Sequence, residues 1–108
     1  MEKDLICVDI IKPLNALYIS NLKILPSSVG VVVGNIDVEA FVHNYFYLAV
    51  EISKMEFYVD NALKATVNSE PYVWNWNDIT FGEHTIKVVA YDSIGNSASD
   101  EITVRKLF

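Results

Sequence analysis

The chain has 108 residues, 52% of them hydrophobic and 12% aromatic, which is enough apolar material for the core of one domain spanning residues 1–108. Eight basic and 14 acidic side chains give a formal charge of -6, which argues against a nucleic acid partner because phosphate binding needs clustered lysines and arginines. Cys7 is the single cysteine, so neither an intrachain disulfide nor a thiolate metal site can form. No apolar run approaches the ~18 residues of a membrane span, and Asp4 and Asp9 interrupt the apolar stretch that a signal peptide needs. We therefore expect no membrane insertion and no signal peptide within this chain.

The first half of the chain contains three regions with strand character. Leu5–Ile11 is apolar and β-branched and predicts a first strand, while Leu14–Leu25 predicts one or two edge strands. Ile36–His43 alternates apolar and polar residues, as a strand with one buried face does. Gly30 and Gly34 are expected to mark the bend that leads into this third strand.

The middle of the chain allows two interpretations. Lys54–Asp60 alternates like a strand, whereas the apolar residues from Ile52 to Thr66 also follow a helical spacing near 3.6. The strand is favoured because aromatic and β-branched residues crowd its first half and because Asp60-Asn61 is typical of a turn. A short return strand over Leu63–Val67 then completes a hairpin.

The stretch from Gly82 to Val104 is the clearest local pattern and predicts a hairpin. Two alternating runs flank Asp92–Asn96, in which aspartate can bond its own backbone and glycine can adopt a positive φ. Together with the other segments, this gives seven to eight short strands and no convincing helix. The sequence therefore predicts an all-β fold, an antiparallel β-sandwich.

Three aromatic residues, Tyr72, Trp74 and Trp76, share one face of a predicted strand. Such a row could form a stacking platform for sugar rings on the surface. The alternating residues on the other face are more polar, and sandwiches commonly bury large aromatics. We therefore expect these three side chains to lie in the core.

Several segments together resemble the bacterial and archaeal Ig-like domains, the immunoglobulin-like repeat modules of cell-surface and secreted proteins. The resemblance runs from Val38 to Val104 and rests on these segments: Met55–Asp60, Leu63–Ala65, Pro71–Tyr72, Trp74–Trp76, Phe81–Gly82, His84–Asp92 and Gly95–Asn96. It implies an immunoglobulin-like sandwich that acts as a non-catalytic spacer or adhesion module, commonly outside the cell. The chain departs from the pattern at Asn44–Glu51, where members usually have a brief Asp/Gly turn.

Metal sites are not expected. His43 and His84 are the only histidines, and neither has a second ligand at metal spacing, so His84 is expected to bond nearby backbone instead. Carboxylates at Asp60 and Asp92 could suggest calcium, but strand order would place them at opposite poles of a sandwich. Two further carboxylates are expected to face solvent or lie at an edge: Asp100 and Glu101.

The best candidate for partner binding is an unusual aromatic loop. In an immunoglobulin-type sandwich, the loop after the second strand and the loop between the last two strands emerge at the same pole. A patch is therefore predicted there, formed by Tyr45, Phe46, Tyr47, Leu48, Asp92, Ser93 and Asn96. The alternative is that the aromatic segment folds inward or lengthens two strands into a hairpin.

No fingerprint of a nucleophile elbow, a zinc protease, a P-loop or a dinucleotide site occurs, so no enzyme activity and no cofactor are expected. The sequence favours a spacer or protein-interaction module of a cell-surface or secreted protein, with neighbouring domains of a longer chain or a protein as partner. The alternative is a carbohydrate-binding module that uses exposed aromatics.

Overall fold

The computed structural model describes residues 6–44 and 51–108, and these form ten strands. In chain order they are β1 (Ile6–Lys12), β2 (Ala16–Ile19), β3 (Leu22–Pro26), β4 (Gly30–Val33), β5 (Ile36–Asn44), β6 (Ile52–Val59), β7 (Ala62–Val67), β8 (Tyr72–Trp76), β9 (Phe81–Asp92) and β10 (Ser97–Leu107). The described residues contain no helix, so the strand interpretation of residues 54–60 is confirmed. The strands exceed the expected seven or eight because residues 14–33 form three short ones.

The strands form two sheets, which confirms the predicted sandwich. The smaller sheet has the order β1-β5-β8, and the larger has the order β3-β2-β4-β10-β9-β6-β7. Strand β4 runs parallel to both β2 and β10, whereas the other described pairs are antiparallel. The larger sheet is therefore mixed, and it departs from the expected antiparallel pattern only at β4.

Strand β4 is the element that the sequence prediction missed. Of the two glycines expected to mark a bend, Gly34 has a φ of 86° and does so. Gly30 instead lies within β4, where an added Cβ would come within 2.7 Å of Cγ1 of Val104 on β10. Glycine is needed here because two strands approach closely, and a sequence pattern does not distinguish this role from a turn.

The core lies between the two sheets and is built by alternate residues of facing strands. Val38, Phe57 and Ile86 are fully buried on β5, β6 and β9, as the alternation predicted. Burying each such side chain contributes about 1.5–3 kcal/mol. The predicted hairpin is confirmed, because β9 and β10 pair along their length, and the two strands lie in the middle of the larger sheet.

The strand directions define two poles of the sandwich. Strand β6 begins at Ile52 opposite Asp92 and ends at Val59 opposite Ile86. We call the end that contains Asp92 the turn pole and the opposite end, which contains Asp60, the clamp pole. The expected separation of these two aspartates is confirmed.

The first and last strands start and finish at different poles. Ile6 of β1 pairs with Asn44 at the turn pole, since the other end of β5 pairs with Trp76 at the clamp pole. Leu107 of β10 pairs with Phe81 at the clamp pole. The outer ends of β1 and β10 therefore lie at opposite poles of a molecule that measures 42 × 24 × 24 Å.

The two sheets differ in width, and the smaller one covers only part of the larger. Strand β1 packs on β10 and β9, and β8 packs against β7. Strand β3, at the far edge of the larger sheet, is exposed along its whole length. Strand β3 therefore overhangs the rest of the sandwich, whereas Ala16 and Tyr18 of the neighbouring β2 are buried in the core.

Candidate interaction surfaces

The turn between β9 and β10 is held by the Asp92 side chain. Its Oδ1 accepts hydrogen bonds from the backbone N–H groups of Ile94 at 3.1 Å and Asn96 at 2.7 Å, and its Oδ2 accepts one from Nδ2 of Asn96 at 2.9 Å. Burial works against ionisation of Asp92, but the bonds from the Asn96 side chain and from the backbone lower the pKa of its carboxyl below the usual value. Gly95 supplies the positive φ of 99°. The predicted turn chemistry is confirmed.

The predicted partner patch is described only in part. Asp92, Ser93 and Asn96 lie together in this turn, and the Ser93 N–H donates to the carbonyl oxygen of Glu51 at 2.8 Å. Glu51 directly follows the aromatic segment, but Tyr45–Leu48 lies outside the described residues. The patch therefore stays a prediction.

The aromatic residues of β8 face the core. Tyr72 and Trp76 are 6% and 1% exposed, and Trp74 packs against the core with its ring centroid 6.1 Å from that of Phe57. The predicted core placement is confirmed. These three rings therefore offer no surface platform for a sugar.

At the clamp pole, His84 bonds side chains and not the backbone, so that prediction was wrong. Its Nδ1 lies 2.6 Å from Oδ2 of Asp60, and its Nε2 lies 3.1 Å from Oγ1 of Thr80. The ring also meets Trp76 edge to face at 5.6 Å. His84 thus joins the β6–β7 turn, the β8–β9 connection and the core. We call Asp60, Thr80 and His84 the clamp.

The Asp60 carboxylate completes the clamp through the backbone. Its Oδ1 accepts the N–H of Thr85 at 2.9 Å, and the Asp60 N–H donates to the carbonyl oxygen of Thr85. The bond from Thr85 and then the neighbouring His84 lower the pKa of Asp60. A 280 Å³ pocket adjoins the clamp, but its charged pair Lys64 and Asp78 is already bonded at 2.9 Å. These bonds therefore hold the β6–β7 turn and the β8–β9 connection in place at the clamp pole. Sequence reasoning missed it because the two partners are 24 residues apart.

Lys106 is a second buried polar group at this pole. Lys106 lies two residues before Phe108, where β10 still continues, and its side chain is fully buried. Its Nζ donates to the carbonyl oxygens of Asp78 and Phe108 and lies 5.1 Å from the ring centre of Trp76. Burial lowers the pKa of the Lys106 amine, while Asp78 opposes the shift. Every second residue of β10 faces inward, so this amine is enclosed.

The remaining candidate metal ligands serve the fold. Asp100 is half-buried, and its Oδ2 accepts the N–H of Ile10 on the edge strand β1 at 2.9 Å and so joins the two sheets. His43 pairs with Asp9 across β5 and β1 at 3.2 Å. Among residues 6–44 and 51–108, no three His, Cys, Asp or Glu side chains are grouped to hold a metal ion. The described part of the chain also has no helix able to cross a membrane.

A polar groove of 450 Å³ lies on the outer face of β6, β9 and β10, between Tyr58 and Tyr91. Tyr58 donates its hydroxyl to Oε1 of Glu56 at 2.6 Å, and this bond, with burial, raises the pKa of Tyr58 to about 12. Lys54 pairs with Glu56 at 3.3 Å and lies over the Tyr91 ring, while Lys87 lies over the Tyr58 ring. The two lysine ammonium groups thus lie over the tyrosine rings on which a sugar would have to stack.

A pocket of 390 Å³ opens on the outer face of the smaller sheet. Its lining residues come from β1, β5, the β7–β8 connection and the start of β8: Ile11, Glu39, Ala40, Phe41, Glu70, Pro71, Tyr72 and Val73. Phe41 and Ile11 are 47% and 48% exposed. Sequence reasoning missed this site because its residues come from separate parts of the chain.

An apolar row crosses the outer face of the larger sheet. Its members are successive register partners on five adjacent strands: Leu22, Ile19, Val33, Leu107 and Phe81. Register partners share a face, and the exposure of Leu22 and Phe81, 66% and 67%, shows that this is the outer one. Each strand contributes a single residue, so no window of sequence reveals the row.

The sandwich of two sheets is the fold of the immunoglobulin-like and fibronectin III-like class of modules. A family model described as a bacterial Ig domain matches residues 24–88, more than half of the chain, and the chain belongs to this family. The resemblance noted in the sequence is thereby confirmed. Among curated proteins no match is found.

Two solved structures show the same fold. One contains fibronectin(III)-like modules of Clostridium thermocellum CbhA, with a TM-score of 0.65 and 19% identity, and the match covers 97% of this chain. The chain spans 47% of that structure's length. The other is an engineered protein, with a TM-score of 0.56 and 12% identity, covering 94% of this chain and 20% of that one. Domains of these two kinds are generally non-catalytic and are commonly surface or extracellular modules.

Proposed function

We propose that the chain is a non-catalytic spacer of a cell-surface or secreted protein, which holds the neighbouring parts of a longer chain apart. The observation that carries this proposal is the exit of the first and last strands at opposite poles of a molecule 42 Å long. The usual location of related modules supports the placement outside the cell.

The pairing of the end strands supports a load-bearing role. A pull outward on Ile6 acts along β1, whose bonds to β5 are perpendicular to the strands, so all of them are loaded at once. A pull outward on Leu107 acts in the same way on β10, which is held by β9 on one side and β4 on the other. Both ends are therefore loaded in shear and not unzipped.

Single-molecule stretching of the chain between marker modules tests the spacer. The roughly 100 residues between Ile6 and Leu107 can extend about 3.6 Å each, so unfolding should lengthen the tether by ~30 nm in one step. The control has handles at Glu83→Cys and Phe108→Cys in a Cys7→Ser background, and it unzips β9 from β10 at the clamp pole. We expect a several-fold lower force for the control. Equal unfolding forces for the two pulling directions would overturn the proposal that the chain is a spacer.

The apolar row favours a second candidate, a module that packs against a protein partner. If it does, the methyl groups of Ile19, Leu22 and Leu107 should be open to a paramagnetic agent in the isolated chain and shielded in the longer parent protein. An Ile19→Lys variant should lose the shielding and keep its fold, since Ile19 is 53% exposed. Equal accessibility in both proteins would refute this role.

A further inference from the structure

The pocket on the smaller sheet has an apolar floor and a one-sided charge. Phe41, Ile11 and Val73 supply apolar surface between β1, β5 and β8. The two charged residues in its lining are Glu39 and Glu70, and both are acidic. An apolar surface bordered by carboxylates suits a ligand that carries a cation on an apolar stem.

The two carboxylates are not equally available. Glu39 pairs with Lys12 at 3.5 Å, whereas Glu70 has no ion pair among the described residues. The charge of Glu70 acts within the pocket, since burial first and Glu70 second raise the pKa of Tyr72 beside it. An incoming cation would therefore meet Glu70 without displacing a lysine.

The aromatic ring decides between kinds of cation. Phe41 contacts His43 edge to face at 4.7 Å and yet remains 47% exposed. A guanidinium is planar, stacks on aromatic rings and is less strongly hydrated than an ammonium, so the exposed ring favours arginine over lysine.

We propose that this pocket binds an arginine side chain in an extended segment of a protein partner. The pocket is shallow and borders β8, the last strand of its sheet, so an extended segment can lie beside Glu70–Val73 and place one side chain over Phe41. The net charge of -6 also attracts a basic segment. This site is independent of the spacer role, which concerns the two poles.

NMR titration of the isotope-labelled chain with the peptide acetyl-Val-Arg-Val-amide tests the proposal. The expected result is saturable shifts confined to the pocket, with a Kd of about 1–10 mM, as for a single anchoring side chain. The matched probe replaces arginine with citrulline, which keeps the shape and removes the charge, and it should bind several-fold more weakly. Butylguanidinium serves as the small-cation probe and should also bind more weakly than the peptide.

Variants test whether binding of the arginine peptide depends on the residues of the pocket. Glu70→Gln should weaken the arginine peptide about two- to fivefold, the range for an exposed ion pair, and Phe41→Ser should weaken it further. Glu101→Gln is the control, because Glu101 is exposed on β10 away from the pocket. Equal binding of the citrulline peptide, or equal effects of Glu70→Gln and Glu101→Gln, would overturn the site. If butylguanidinium bound as tightly as the peptide, the proposal of a protein partner would be overturned, and a small cation would be the ligand instead.

Discussion

The clamp at Asp60 predicts a defined loss of stability in an Asp60→Asn variant. Asparagine keeps one acceptor oxygen for the Thr85 N–H and tolerates the φ of 51° at this position. It loses the charge that lies 2.6 Å from His84 Nδ1. The Asp60 side chain is 52% exposed, so water screens the pair, and we expect a loss of about 1 kcal/mol instead of the 3–5 kcal/mol of a broken buried pair. For a domain of this size, that lowers Tm by about 4–8 °C.

The pH dependence provides the assay. The pKa of Asp60 is lower in the folded state than that of an aspartate in the unfolded chain, so its contribution to stability is present above the unfolded pKa and is lost as the pH falls through the folded pKa. Urea unfolding followed by tryptophan fluorescence should therefore show the stabilities of wild type and Asp60→Asn converging as the pH falls below the range in which a free aspartate titrates. Glu101→Gln is the control, and a double-mutant cycle with His84→Phe should give a coupling of about 0.5–1 kcal/mol. A difference between wild type and Asp60→Asn that does not change with pH would refute the reasoning.

Three further predictions concern other parts of the molecule. Gly30→Ala should cost about 1–3 kcal/mol in denaturant unfolding because its Cβ meets β10, and a loss below about 0.5 kcal/mol would contradict the close approach. In an alkaline absorbance titration, Tyr58 should ionise at pH about 12, and this ionisation step should be missing in the Tyr58→Phe variant. An identical titration curve for the variant would disprove the assignment. Lys106→Ala should cost about 1–3 kcal/mol because it leaves the Asp78 carbonyl, a partly buried acceptor, without its lysine donor. A loss no larger than that of the exposed Lys23→Ala would argue against this burial.

Much of the sandwich could be predicted from the sequence because its strands bury one face. The alternation in β5, β6 and β9 follows directly from that burial, and the Asp92 turn follows from the local chemistry of aspartate and glycine. Strand β4 could not be predicted, since its four residues are too short to show a period and its glycine has a tertiary cause.

The sites were less predictable because they depend on residues that are distant in sequence. The clamp joins residues 24 apart, and Asp100 reaches back 90 residues to Ile10. Lys106 has the composition of a solvent-exposed tail and is buried only because β10 continues between β4 and β9. Local pattern therefore identified which face is buried but not which polar groups the fold encloses.

The unequal width of the two sheets has a consequence for local opening. Strand β3 lies at the edge of the larger sheet and contributes no buried residue to the core. Amide protons of β3 should therefore exchange with solvent through a small opening that leaves the two sheets together, whereas those of β9 and β10 should exchange only on global unfolding. Lys23 and Pro26 lie on this edge strand, where a lysine and a proline disfavour pairing with the edge of another chain.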